Sequence, residues 1–139
     1  MGNERNGKMK SRIIAAPQQV LSYGLDETQC MILDSIAKGV GIEHKVIAKE
    51  KANEKVGYLC GFKGFSKTGG DSGNPPEKQC LIFSGIQRKN IDRLLSELRA
   101  SSLNIPLKAM VTPSNQSWAL KDLIDELEKE HKMMTRGQA

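Results

Sequence analysis

Apolar residues along this chain fall into two alternating kinds of run. The short kind reads as strands: Val20-Leu21-Ser22-Tyr23, then 44–48, Cys80-Leu81-Ile82-Phe83, and 107–111, the last confined between Pro106 and Pro113. The longer kind has helical spacing. Cys30, Leu33, Ile36, Ala37 and Val40 share one face, with Asp26 as a fair N-cap and Gly39 and Gly41 as stops. Ile91, Leu94, Leu95 and Leu98 repeat the pattern, and so do Leu120, Leu123, Ile124 and Leu127 in a helix that Trp118 is expected to open. A short helix is expected at 53–59, ended by Gly61. Ile13-Ile14-Ala15-Ala16 reads as an edge piece or an arm.

Superposing the two halves exposes a weak internal repeat. Val20-Leu21-Ser22-Tyr23-Gly24-Leu25 matches Leu81-Ile82-Phe83-Ser84-Gly85-Ile86 in pattern, and Asn53 falls on Asn115. Each half has two strands and cannot bury a sheet alone, so the halves must pack together. The expectation is one α/β domain, a four-stranded mainly parallel sheet built from two βαβα halves with helices packed on it. Strand order 2-1-3-4 is expected, with a pseudo-twofold arrangement, in which the central strands run antiparallel, as the alternative. The division is a basic flexible arm at 1–12, a domain at 13–131 (first half 13–60, second half 79–131) and a flexible tail at 132–139. Gly69-Gly70-Asp71-Ser72-Gly73-Asn74-Pro75-Pro76 offers almost nothing to bury, so 61–78 is expected to be a mobile linker.

Composition narrows the setting. A chain of 139 residues is one domain's worth, and with one Trp, two Tyr and three Phe its core must be aliphatic. The formal charge of +5 is unevenly spread. Arg5, Lys8, Lys10 and Arg12 crowd the N-terminus, while the last helix carries Asp122, Asp125, Glu126, Glu128 and Glu130. The apolar run at 13–16 is too short for a signal peptide, and nothing approaches a membrane span. Three cysteines without a close pair argue against a secreted disulfide framework, so the expected compartment is the cytoplasm.

The richest polar stretch follows the fourth strand. Thr112, Ser114, Asn115 and Ser117 bring hydroxyls and an amide to a turn, and Ser84 and Gly85 end the neighbouring strand. In a parallel pair both turns open on one sheet edge, where free N–H groups and a helix dipole favour an anion. The simpler account is that Ser or Asn caps the helix and Pro113 sets the turn. Lys108 would neutralise an anion if its side chain runs to that edge, or else guards an edge strand against pairing. Trp118 reads as a core anchor. Cys60 and Cys80 flank the linker and would close it if they met.

From Lys108 to Trp118 the chain reads K-A-x-x-T-P-x-N-x-x-W, after Leu81-Ile82-Phe83-Ser84-Gly85 and a Leu-rich helix and before Glu126-Leu127-Glu128-Lys129-Glu130-His131. Over about 80–131 this resembles the uncharacterised bacterial family called domain of unknown function 3783. The resemblance implies a small bacterial α/β module and no assigned activity.

No catalytic constellation accompanies these turns. The glycine run lacks phosphate-loop spacing, and His44 and His131 lack close metal-ligating neighbours and a nucleophile elbow. Tyr23 and Ser84 stand where a phosphorelay domain needs acidic residues. No cofactor and no metal are therefore expected. The leading expectation is a non-catalytic binding or regulatory module that uses Ser84, Gly85, Lys108, Thr112, Ser114 and Asn115 to hold a small anionic ligand or a protein partner. The alternative is an enzyme on a phosphate or carboxylate substrate, with Lys108 and Asn115 as electrostatic stabilisers. Nucleic-acid binding through the basic arm and Arg88, Lys89 and Arg93 is a second alternative, weakened by the acidic last helix and scarce aromatics.

Overall fold

The computed structural model describes residues 17–70 and 73–137. The basic arm and the 13–16 segment lie outside the described residues. Strand β1 (Gln19–Tyr23) leads to helix α1 (Glu27–Val40), strand β2 (Glu43–Ile47), a 3₁₀ turn (Lys49–Lys51) and the short helix α2 (Val56–Leu59). The second half follows the same order: β3 (Cys80–Ser84), α3 (Arg88–Ala100), β4 (Leu107–Met110), a 3₁₀ turn (Asn115–Ser117) and α4 (Leu120–Gly137). Where a tail was expected from 132, α4 continues to Gly137.

The sheet order is β2-β1-β3-β4. Within each half the two strands are parallel, as a βαβ crossover requires, but β1 and β3 pair antiparallel, with Leu21 opposite Ile82. The expected order is thus present in its pseudo-twofold form. A single antiparallel bridge, Lys55 to Ala119, joins the residues just before α2 and α4. Antiparallel centres send the ends of β1 and β2 to one edge of the sheet and the ends of β3 and β4 to the other, so the turns after β2 and β4 lie on opposite edges.

Alternation along the strands splits the core into two layers. Val20, Leu81 and Phe83 face α1 and α3, packing on Leu33, Ala37, Leu94 and Leu98. Leu21, Tyr23, Cys80 and Ile82 face α2 and α4, packing on Val56, Leu59, Leu120 and Ile124. Both central strands are buried along their whole length. Asp26 caps α1 through a full capping box with Gln29, as its position suggests. Trp118 departs from expectation: it is extended, 39% exposed, and lies between the 3₁₀ turn and α4 instead of opening the helix. Its backbone is what the fold uses, since the Trp118 carbonyl accepts the Val56 N–H.

The glycine-rich stretch makes specific contacts along its course. The Thr68 and Gly69 N–H groups donate to the two carboxylate oxygens of Glu54 at 2.6 and 3.1 Å. Tyr23 Oη donates to the Pro76 carbonyl, and the Phe65 ring lies so close to Gly57 that a Cβ there would come within 2.6 Å of it. Gly24, with φ +80°, packs its Cα under the Lys78 carbonyl, where a Cβ would sit 2.3 Å from the oxygen. Cys60 and Cys80 are both buried free thiols in the α2/α4 layer.

Candidate functional site

The turn after β4 closes on itself. Asn115 Oδ1 accepts from the Thr112 N–H at 2.9 Å, Thr112 Oγ1 accepts from the Asn115 N–H at 3.0 Å, and Asn115 Nδ2 donates to the Met110 carbonyl. Ser117 Oγ reaches the Ser114 carbonyl at 3.5 Å, the outer limit of a bond. Thr112 and Ser114 are exposed and Asn115 half-buried. Each polar group of Thr112 and Asn115 named here already has a partner, so the turn is self-closed and not open to a ligand. The expected cap is not formed: Ser114, at the N-cap of the 3₁₀ turn, makes no side-chain cap bond, and α4 begins only at Leu120.

Ser84 does lie beside this turn, because Phe83 pairs with Met110 and accepts the Val111 N–H. Its hydroxyl, however, is fully buried and lies on the α2/α4 side of the sheet. The Cys60 thiol lies close enough for that hydroxyl and Lys45 to offset part of the rise in pKa that burial imposes on Cys60. That contact falls short of a hydrogen bond, and Ser84 Oγ has no hydrogen-bond partner among the described residues. Gly85 is exposed with φ +66° and turns the chain away.

Lys108 is not brought to the turn. It belongs to the α1/α3 face of β4, and its Nζ donates to the Ile105 carbonyl, so the ammonium sits at the start of the strand. There it borders a cavity of about 430 Å3 lined by Leu95, Leu98, Arg99, Ser102, Leu103, Asn104 and Lys108. β4 is an edge strand, and α3 packs on α1 and, through Leu94 and Leu98, on Val20, Leu81 and Phe83 of the central strands, which leaves the cavity beside β4. Leu98 and Leu103 form a buried floor, while Arg99, Ser102 and Asn104 are exposed. Ser102 carries φ +57°, and its N–H and that of Leu103 close the end of α3 on the Arg99 and Leu98 carbonyls.

Neither of the two cations at this cavity is neutralised by a described carboxylate, although Lys108 donates to the Ile105 carbonyl. Burial lowers the pKa of Lys108. Cys80 itself is pushed up to about 12 by burial, despite the nearby Lys108 charge, so it stays a neutral thiol. Sequence reasoning had named Lys108 but not Arg99. The only signal for Arg99 was its place in the last helical turn beside Leu98, a place where a cation is commonly just a dipole partner.

A second polar group was also invisible without the strand register. Ser22 Oγ lies 2.7 Å from His44 Nε2, and His44 Nδ1 lies 3.3 Å from Asp34 Oδ1. The sequence of contacts is that of a hydrolytic triad, but Ser22 is 1% exposed and sits within β1, leaving no room for an acyl group. The chain of contacts instead ties α1 to β1 and β2. Arg88, Lys89 and Arg93 are exposed on α3. Among the described residues no cluster of three His, Cys, Asp or Glu is placed to hold a metal ion, and no helix is long and apolar enough to cross a membrane.

No curated protein and no solved structure matches the chain. Residues 79–134, which carry β3, α3, β4 and nearly all of α4, match the model of a domain of unknown function, DUF3783, confirming the resemblance of the second half to that family.

Proposed function

We propose that this chain is a non-catalytic, cytoplasmic binding module whose ligand seat is the cavity beside β4 and not the turn after it. The carrying observation is the pairing of an apolar floor, Leu95, Leu98 and Leu103, with two cations, Arg99 and Lys108, that no described carboxylate neutralises. A site of this size and lining fits a small anion with an aliphatic body. Arg99 offers a planar fork to a carboxylate and Lys108 a point charge, while Ser102 and Asn104 add hydrogen-bonding side chains. Buried free thiols at Cys60 and Cys80 fit a reducing compartment.

Thermal denaturation with N-acetyl-leucine, isovalerate and inorganic phosphate tests this reading. A true ligand at about 100 times its Kd adds about 2.7 kcal/mol of stability. The aliphatic carboxylates should stabilise the protein, phosphate should not, and Arg99→Gln with Lys108→Met should abolish the effect. Stabilisation that survives both substitutions, or that Asn115→Ala removes, would place the ligand elsewhere.

A further inference from the structure

The cavity opens beside an unpaired strand edge. Among the described residues β4 has a neighbour only in β3. The Val111 N–H points to Phe83 on that side, so the period of two leaves the N–H and C=O of Lys108 and the N–H of Met110 facing outward. The Met110 carbonyl is already taken by Asn115 Nδ2, which limits the free edge to the first part of the strand, next to the cavity. Met110 is 49% exposed, in keeping with the thin cover on this side.

Resting on the reading of the cavity as an anion seat, we propose that its natural occupant is the free C-terminus of a protein partner, added to β4 as an antiparallel strand. Direction decides the matter. A strand running antiparallel to β4 ends beside the start of β4, which is where Arg99, Ser102, Asn104 and the Lys108 ammonium gather. The terminal carboxylate then meets the two cations, and the last side chain enters the space over Leu95, Leu98 and Leu103. Three main-chain groups of β4 hold the preceding residues, which is the usual division of labour in strand addition: backbone for affinity, pocket for specificity. Lys108 acts as a filter at the same time. An inward-facing charge discourages pairing with a neutral strand and favours one that ends in a carboxylate. A small free carboxylate would fill the cavity but leave the strand edge bare.

The two occupants are separated by a set of short free-acid peptides, one for each amino acid at the last place, together with their C-terminal amides and N-acetyl-leucine. Binding is followed by fluorescence anisotropy for the labelled peptides and by competition for N-acetyl-leucine, with amide hydrogen exchange at Lys108 and Met110. The expected result is binding of the acids with an aliphatic last residue, weakened by about tenfold or more in the amides and in Arg99→Gln or Lys108→Met. Protection of the Lys108 and Met110 amides should appear with the peptide and not with N-acetyl-leucine. If N-acetyl-leucine binds as tightly as the best peptide, or the peptide protects neither amide, strand addition is overturned while the cavity remains an anion seat. Acids and amides binding alike overturn the role of the carboxylate. If neither the peptides nor N-acetyl-leucine bind, both readings fall.

Discussion

The Thr112–Asn115 turn and the Arg99–Lys108 cavity gather polar side chains at opposite ends of the same strand, and they differ in what those side chains are already doing. In the turn, Thr112 and Asn115 satisfy each other and the Met110 carbonyl. In the cavity, two cations stand over leucines with no described carboxylate against them. By residue type the turn is the better candidate. By charge that no described carboxylate neutralises, the cavity is. A polar group is available to a ligand only to the extent that the fold has not used it.

The largest effect that bears on this contrast comes from the cavity floor. Leu98 is 4% exposed and belongs to the α1/α3 core, so Leu98→Ala should cost about 2–5 kcal/mol of stability and deepen the cavity. Denaturant unfolding checks the cost. A loss below about 1 kcal/mol would mean that the floor is loosely packed and the cavity is not a formed feature.

Glu54 extends the contrast to a carboxylate whose capacity is wholly used. Burial raises its pKa, but the Thr68 and Gly69 N–H groups, with Lys67 and Lys51, outweigh that and hold it below the ordinary 4.5. Its cover is thin, the 67–69 segment itself, so solvent moderates the effect. Glu54→Gln should cost about 1–3 kcal/mol at neutral pH. A carboxyl with a lowered folded pKa contributes stability that is complete above its ordinary value and is lost as pH falls through the folded one. The gap between wild type and variant should therefore close below pH 4.5. A gap that persisted in acid would show that Gln fails for shape and not for charge.

Much of the fold could be read from the chain because its determinants are local. Helical spacing at Leu94 and Leu98, the Asp26 cap and the paired glycines at 24 and 85 each act within a few residues. The orientation of β1 against β3 could not be read, since either arrangement buries the same alternating residues. Nor could the destination of Lys108: a strand position gives the face of a side chain, while its course toward Ile105 depends on where α3 leaves space. Trp118 was misplaced because apolar size suggested a core anchor, whereas the backbone bridge at Lys55 and Ala119 fixes that segment and leaves the ring half outside. The Ser22–His44–Asp34 contacts needed the register of β1 on β2, which no local pattern encodes.

The turn itself should behave as a structural closure. Asn115→Ala removes a donor to Met110 and an acceptor for Thr112 and should cost about 1–2 kcal/mol, with no change in the binding of N-acetyl-leucine. Loss of binding without loss of stability would reverse the assignment and return the ligand to the turn.

The smallest effect expected is the sharpest test. Burial lowers the pKa of Lys108, so its charged form is less favourable in the fold than in the unfolded chain. A lysine of this kind works against folding. The penalty is full below the folded pKa and fades as pH rises toward the ordinary 10.5. Lys108→Met removes that penalty along with the bond to the Ile105 carbonyl, and the two losses oppose each other. Stability should stay within about 1 kcal/mol of wild type at neutral pH. Relative to the variant, wild type should gain as the solution becomes more alkaline. A cost as large as that of Asn115→Ala would mean that the ammonium is committed to holding the 103–106 loop. Its charge would then be spent in the way the turn's polar groups are, and the distinction between the two ends of β4 would disappear.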